Sequence, residues 1–198
     1  MSRIRPITAA LAVTLMAASV PAHAQRWDLV FRPEGVSTPG LASGFLELTG
    51  QELRLNVAFA DLTSGTTVSH IHCCTASPFV GNAGVASTVP SFAGFPVGVR
   101  SGSFDQTWNI FTDVSFWNAV FLANNGATAA NLTPAANALV GALQAGRAYV
   151  NIHTQTNPGG ELRAYTTPEP QTWALLATGI GVLGAIARRR AGRATAGG

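Results

Sequence analysis

Glu52-Leu53-Arg54-Leu55-Asn56-Val57-Ala58-Phe59 decides how this chain is to be read. Leu53, Leu55, Val57 and Phe59 occupy every second position, with Glu52, Arg54, Asn56 and Ala58 between them. Strand side chains alternate between faces, so this period of two predicts a half-buried antiparallel strand. Just upstream, Leu46 and Leu48 alternate around Glu47, and Gly50-Gln51 separates the two runs. Glycine accepts positive φ, so the pair predicts a tight hairpin.

Outward from this hairpin the pattern stays strand-rich. Residues 68–73 read as another strand, and 99–108 as a weaker one. Residues 148–153 alternate again, with Tyr149, Asn151 and His153 on one side and Ala148, Val150 and Ile152 on the other. Asn157-Pro158-Gly159-Gly160 is a turn sequence, with proline at i+1 and glycine at i+2, and 161–165 returns as the last strand. Glu161 and Arg163 then share a strand face and are expected to pair at the surface.

Two helical inserts interrupt the strands. Thr133 is placed to cap one, Pro134 to occupy its first turn, and Gly146 to close it. The other, over 115–123, carries Phe116, Trp117, Val120 and Phe121 and ends at Asn124-Asn125-Gly126. Residues 78–98 are rich in Gly, Pro, Ser and Ala, a long loop that Phe79, Phe92 and Phe95 would pin to the core. The expectation is one mainly β domain over 26–165. Its architecture is an antiparallel β-sandwich with two short helical inserts, flanked by N- and C-terminal hydrophobic helices.

Composition narrows the function. The chain of 198 residues is 47% hydrophobic and only 11% charged, which excludes a polyelectrolyte-like disordered chain. Its formal charge of +3 is misleading, because six of the twelve arginines lie at the ends and there is no lysine. Between residues 25 and 167 six arginines face eight carboxylates, so the domain is mildly acidic and no nucleic-acid-binding face is expected.

Both ends read as addresses. Arg3 and Arg5, an uncharged apolar stretch over 7–20, and Ala22-His23-Ala24 make a signal peptide over 1–24, cut after Ala24. It implies the Sec export machinery, signal peptidase and an oxidising compartment. At the other end, residues 171–187 carry no charge and are long enough for a short transmembrane helix. Arg188, Arg189, Arg190 and Arg193 follow, the positive-inside signature that leaves the domain facing outward. Pro168-Glu169-Pro170 precedes the span as an extended joint.

Histidine and cysteine carry the candidate chemistry. His70-Ile71-His72 on a strand puts both imidazoles on one face, a pair of ligands suited to copper or zinc. His153, on another strand, supplies a third nitrogen if the strands are neighbours, with Asn151 on its face and Glu161 or Asp61 to orient a ring. A pH-dependent polar cluster without metal is the alternative. Cys73-Cys74 follow directly, and they are the only cysteines. A vicinal disulfide is one reading. Free thiols, a mixed or intermolecular disulfide, and thiolate ligation beside the histidines are the others. Catalytic motifs are missing: there is no Gly-x-Ser-x-Gly elbow, Walker loop or His-Glu-x-x-His, so no enzyme is expected.

Pro168-Glu169-Pro170, one apolar span and a terminal arginine cluster together resemble the PEP-CTERM sorting signal, here over 166–193. That resemblance implies cleavage by exosortase, transient anchoring in the inner membrane, and delivery to the cell surface or beyond. Ser69-His70-Ile71-His72, then Tyr149-Val150-Asn151-Ile152-His153-Thr154, then Pro158-Gly159-Gly160-Glu161-Leu162-Arg163, resemble the CHRD domain. The Gly-Pro continuation usual after His-Ile-His is replaced by Cys73-Cys74-Thr75. The resemblance implies a β-rich extracellular module. The reading built on it is an immunoglobulin-like or superoxide-dismutase-like sandwich with a non-enzymatic interaction or structural role toward a surface polymer or protein. The His-x-His strand and distant histidine are also similar to the copper ligands of copper–zinc superoxide dismutases, but only over three residues.

The processing reading has a direct test in the intact mass of the cell-surface form. It should lack residues 1–24 and the segment containing Trp173. Retention of Trp173 would make the tail a permanent anchor.

Overall fold

The computed structural model describes residues 24–168. The eight strands are β1 (Gln25–Val30), β2 (Arg32–Pro33), β3 (Leu41–Thr49), β4 (Glu52–Ala60), β5 (Thr66–Cys73), β6 (Gly102–Asn109), β7 (Ala148–Thr154) and β8 (Leu162–Pro168). Between β6 and β7 lie a 3₁₀ turn (Val114–Phe116), α1 (Ala119–Asn124) and α2 (Thr133–Gln144). The expected signal peptide over 1–24 lies, except for its last residue, outside the described residues. So do Glu169, Pro170, the apolar span over 171–187 and the arginine cluster. Among the described residues no helix is long and apolar enough to cross a membrane.

The β3–β4 hairpin forms as its alternation requires. Leu53, Leu55, Val57 and Phe59 are buried while Glu52 and Arg54 are exposed. The turn leaves Thr49 opposite Glu52, with Gly50 at φ +62°. Each of these buried side chains is worth about 1.5–3 kcal/mol relative to exposure. From this hairpin the sheet grows in both directions, in the order β5-β7-β8-β1-β3-β4-β6, with β2 added beside β8.

That order corrects the sandwich expectation. β1 pairs with β3 along one edge and, through Trp27↔Pro168, Asp28↔Thr167 and Leu29↔Thr166, with β8 along the other. The two strand groups are therefore joined by ladder hydrogen bonds into one antiparallel sheet, curled into a half-barrel. Alternating burial looks the same in either architecture, since one face meets a core in both. The core joins Leu46, Leu53, Leu55, Ile71, Val150 and Ile152 to α2 through Leu139 and Leu143. Phe92, Phe104 and Trp108 pack as an aromatic cluster at the β6 side.

Other expectations are adjusted locally. The helix expected over 115–123 is broken, because Trp117 is extended and Asn118 starts α1 anew by accepting from the Val120 amide at 2.8 Å. The Trp117 indole, buried, donates to the Ile110 carbonyl at 3.0 Å, and that bond outweighs helical continuity. Thr133 does not cap α2. Leu132 holds the cap position, and the Asn131 carboxamide accepts from the Thr133 amide instead. Phe92 and Phe95 pin the long loop as expected, but Phe79 is 54% exposed and meets the edge of Tyr165.

Glu161 and Arg163 do not pair. Arg163 bonds Glu34, Asn82 and the Gly81 carbonyl. Glu161 is fully buried. Its carboxylate accepts from Thr38 Oγ1 and the Thr63 amide on one oxygen. The other takes Thr63 Oγ1, Thr154 Oγ1 and Asn157 Nδ2. All of these donors are neutral. Burial works against the charge, but the threonine hydrogen bonds prevail and hold the carboxyl down at about 2. One carboxylate thus fastens the 38–40 and 61–63 loops and the end of β7 to the start of β8.

A carboxyl with a folded value below its unfolded 4.5 contributes stability above that pH, and the contribution fades as pH falls toward about 2. Glu161→Gln should cost about 2–4 kcal/mol at neutral pH, because an amide cannot accept from so many donors. In urea unfolding at a series of pH values, the gap between wild type and variant should narrow below about pH 4.5. A gap independent of pH would contradict the ionised hub.

Candidate metal centre

His70 and His72 lie two positions apart on β5 and therefore on one face. β7 is the neighbouring strand, paired through His70↔Asn151 and His72↔Tyr149, so His153 is carried to the same face. Every residue of β7 is buried. Val150 and Ile152 face the apolar core, and Asn151 and His153 face the histidine layer. The ring centroids lie 5.5 Å apart for His70–His153, 5.7 Å for His70–His72 and 6.5 Å for His72–His153.

The long loop builds the outer wall. β5 ends the sheet, and residues 83–91 lie along its free edge. Cys73 donates to the Gly84 carbonyl, Ala86 donates to that of Ile71, and the Ile71 and Ser69 amides reach the hydroxyls of Ser87 and Ser91. This covers an otherwise unpaired strand edge. It also delivers backbone carbonyls to the imidazoles. His70 Nε2 is 2.6 Å from the Pro90 oxygen, and His72 Nδ1 is 2.8 Å from that of Ala83. The third carbonyl comes from the Asn157–Gly160 turn, where the Pro158 oxygen stands 2.8 Å from His153 Nδ1.

These contacts settle the tautomers. A carbonyl oxygen accepts and never donates, so each of those nitrogens carries the proton. In the neutral ring the opposite nitrogen is then a bare lone pair. Those three atoms, His70 Nδ1, His72 Nε2 and His153 Nε2, are buried and make no hydrogen bond of ordinary geometry, although the Asn151 carboxamide is close enough to act on His72. The ligand atoms of the trio lie within 4.8 Å of one another. An equilateral triangle of that side has its centre about 2.8 Å from each corner, so sub-ångström movement reaches the 2.0–2.1 Å of a zinc–nitrogen bond. Buried polar atoms are almost always satisfied, and a converging set of unsatisfied ones calls for an occupant.

Burial favours the neutral form of His70 and His72. Burial pushes His70 down to about 4, against the opposing pull of the Pro90 carbonyl and with help from His153 and His72. His72 is lowered for the same leading reason, and Arg163 adds to it. Arg163 acts through a stack: its guanidinium sits 4.0 Å from the centre of the Tyr149 ring, which lies parallel to His72 at 4.7 Å. The Tyr149 hydroxyl accepts from the Ala83 amide at 3.3 Å, so the residue that orients His72 is itself held.

The carboxylates expected to orient the rings do other work. Glu161 is engaged by its threonines and Asn157, and Asp61 lies exposed with its amide on Ser101. Main-chain oxygens have no sequence signature, so Ala83, Pro90 and Pro158 were invisible as orienting groups; only the rule that ligand histidines bond a second partner pointed to something there. Cys73 and Cys74 are joined by a disulfide, so neither sulfur is a thiolate in this arrangement.

Comparison with known families adds the wider context. A family model described as CHRD domain matches residues 28–165, and one described as PEP-CTERM protein-sorting motif matches 166–191. Neither a curated protein nor a solved structure matches the chain.

The tautomer assignment is directly measurable. Long-range ¹H–¹⁵N correlation spectra at neutral pH should show His70 protonated at Nε2, and His72 and His153 at Nδ1. A reversed tautomer at any of the three would remove its lone pair from the cluster and contradict this geometry.

Proposed function

The chain belongs to the CHRD domain family, and we propose that its domain is a non-enzymatic module that holds a transition-metal ion, copper or zinc, on His70, His72 and His153. The PEP-CTERM motif supports an exported, exosortase-sorted protein. In this proposal the protein is anchored transiently in the inner membrane and then passes to the cell surface, where the module acts.

One observation carries the metal reading: three histidines that each offer a ring nitrogen within 4.8 Å of the others, and that each keep a buried nitrogen without an ordinary hydrogen bond. A polar cluster lacking an ion would leave all three desolvated with nothing in return, at about 1–3 kcal/mol each. An ion bridging them satisfies all three at once. Export to an oxidising compartment also suits a nitrogen donor set, which oxidation does not destroy.

A second reading, interaction with a surface polymer or protein, finds support in the open cleft of about 1050 Å³ beside β2 and β8. Arg32, Glu34, Phe79, Asn82 and Tyr165 line it, mixing exposed aromatic surface with planar polar groups. The cleft and the metal centre share Arg163 and Pro158, so occupation of one can be felt at the other.

Elemental analysis of protein isolated from its host surface, without chelators, should give a single copper or zinc ion per chain. His153→Ala should lower metal affinity by more than about 100-fold while far-UV circular dichroism stays unchanged. Metal-free native protein that binds neither ion would sink the metal reading. Surface retention of the His153→Ala variant at wild-type levels would favour the cleft as the determinant of attachment.

A further inference from the structure

The donor set also discriminates between ions. Within the cluster all ligand atoms are neutral imidazole nitrogens, and no carboxylate belongs to it. The sulfurs next along β5 are bonded to each other. Two further unsatisfied polar atoms lie on this face, the neutral Asn151 Oδ1 and the cationic Arg163 Nε, so no anionic donor is added. The nearest cationic group is the Arg163 guanidinium, stacked behind Tyr149 and already joined to Glu34. An ion entering here therefore keeps its whole charge in a site whose lone pairs do not reach water.

Desolvation cost grows as the square of the charge, so a divalent ion is penalised about four times as heavily as a monovalent one. Zinc completes a tetrahedron with a fourth donor, usually a thiolate, carboxylate or bound water, and copper(II) prefers a tetragonal set. Three nitrogens and a buried amide offer either divalent ion no anionic donor to offset its charge. A monovalent d¹⁰ ion needs only two or three neutral nitrogens, and His70, His72 and His153 supply one each within 4.8 Å of one another.

We propose that the ion held by the three histidines is copper(I), bound through nitrogen alone. This rests on the metal-holding reading above and narrows it. The oxidised cysteine pair stays outside the coordination sphere: Cys73 is buried on the opposite, core face of β5.

The test uses the full-length chain in detergent, under argon, with ascorbate rather than a thiol so that the disulfide survives. Copper(I) is titrated against bathocuproine disulfonate, and zinc(II) against pyridylazoresorcinol. The expected result is a single copper(I) withheld from its chelator, with zinc(II) at least ~100-fold weaker. X-ray absorption should show nitrogen neighbours and no sulfur, which keeps the test valid even if a histidine variant misfolds. Zinc(II) binding as tightly as copper(I) overturns the proposal but leaves the metal-holding reading intact. Sulfur in the copper shell overturns it by exposing the wrong donor set. Binding of neither ion removes the broader reading together with this one.

Discussion

A carbonyl oxygen can only accept a hydrogen bond, and the arrangement of this domain turns on that asymmetry. Pro90, Ala83 and Pro158 each present a carbonyl to one nitrogen of an imidazole, which in the neutral ring leaves the other nitrogen as a free lone pair. Much of the irregular chain is arranged to make those contacts. The 83–91 segment is fastened to the β5 edge by main-chain and serine hydrogen bonds. The Asn157–Gly160 turn is held through Asn157 by Glu161, which also binds the Thr154 side chain at the end of β7. The buried carboxylate and the buried imidazoles are thus linked mechanically, although they do not touch.

Such a layer is expensive in desolvation, and the fold offsets it with apolar burial on the opposite side of the same strands. β5 and β7 place Ile71, Val150 and Ile152 in the hydrophobic core while presenting histidine and asparagine to the other side. Neutrality lowers the cost further, since burial holds His70 well below its usual range and a neutral ring is far easier to bury than a charged one. The same neutrality makes His70 and His72 competent ligands, so what lowers the cost of burial also prepares the site.

The sequence was most legible where side-chain period alone decides structure. The β3–β4 hairpin, the His70/His72 face and the terminal turn at Asn157–Gly160 follow from alternation and turn chemistry. The way strands assemble was less legible: a half-barrel and a sandwich bury the same alternate residues, and only the β1–β8 pairing separates them. Glu161 and Arg163 looked like an ordinary surface pair because same-face spacing says nothing about which loops will cover it. In fact threonines from three segments converge on one, and Glu34 takes the other. The long Gly- and Pro-rich loop read as a segment pinned to the core by its phenylalanines, yet it also supplies two of the three groups that orient the histidines, through backbone atoms that no side-chain pattern encodes.

The CHRD match over 28–165 contains every residue of the histidine layer and its supports, and the sorting motif begins directly after it. The working part and the delivery part of the chain are therefore separate in sequence, with the β8 strand as their junction. The most direct test of the central idea, convergence of three bare nitrogens on one point, is anomalous diffraction from crystals of the protein grown with copper under reducing conditions. The account requires an anomalous peak about 2.0–2.3 Å from His70 Nδ1, His72 Nε2 and His153 Nε2 together. A peak on the surface alone, or imidazoles whose free nitrogens point apart around ordered water, would contradict it.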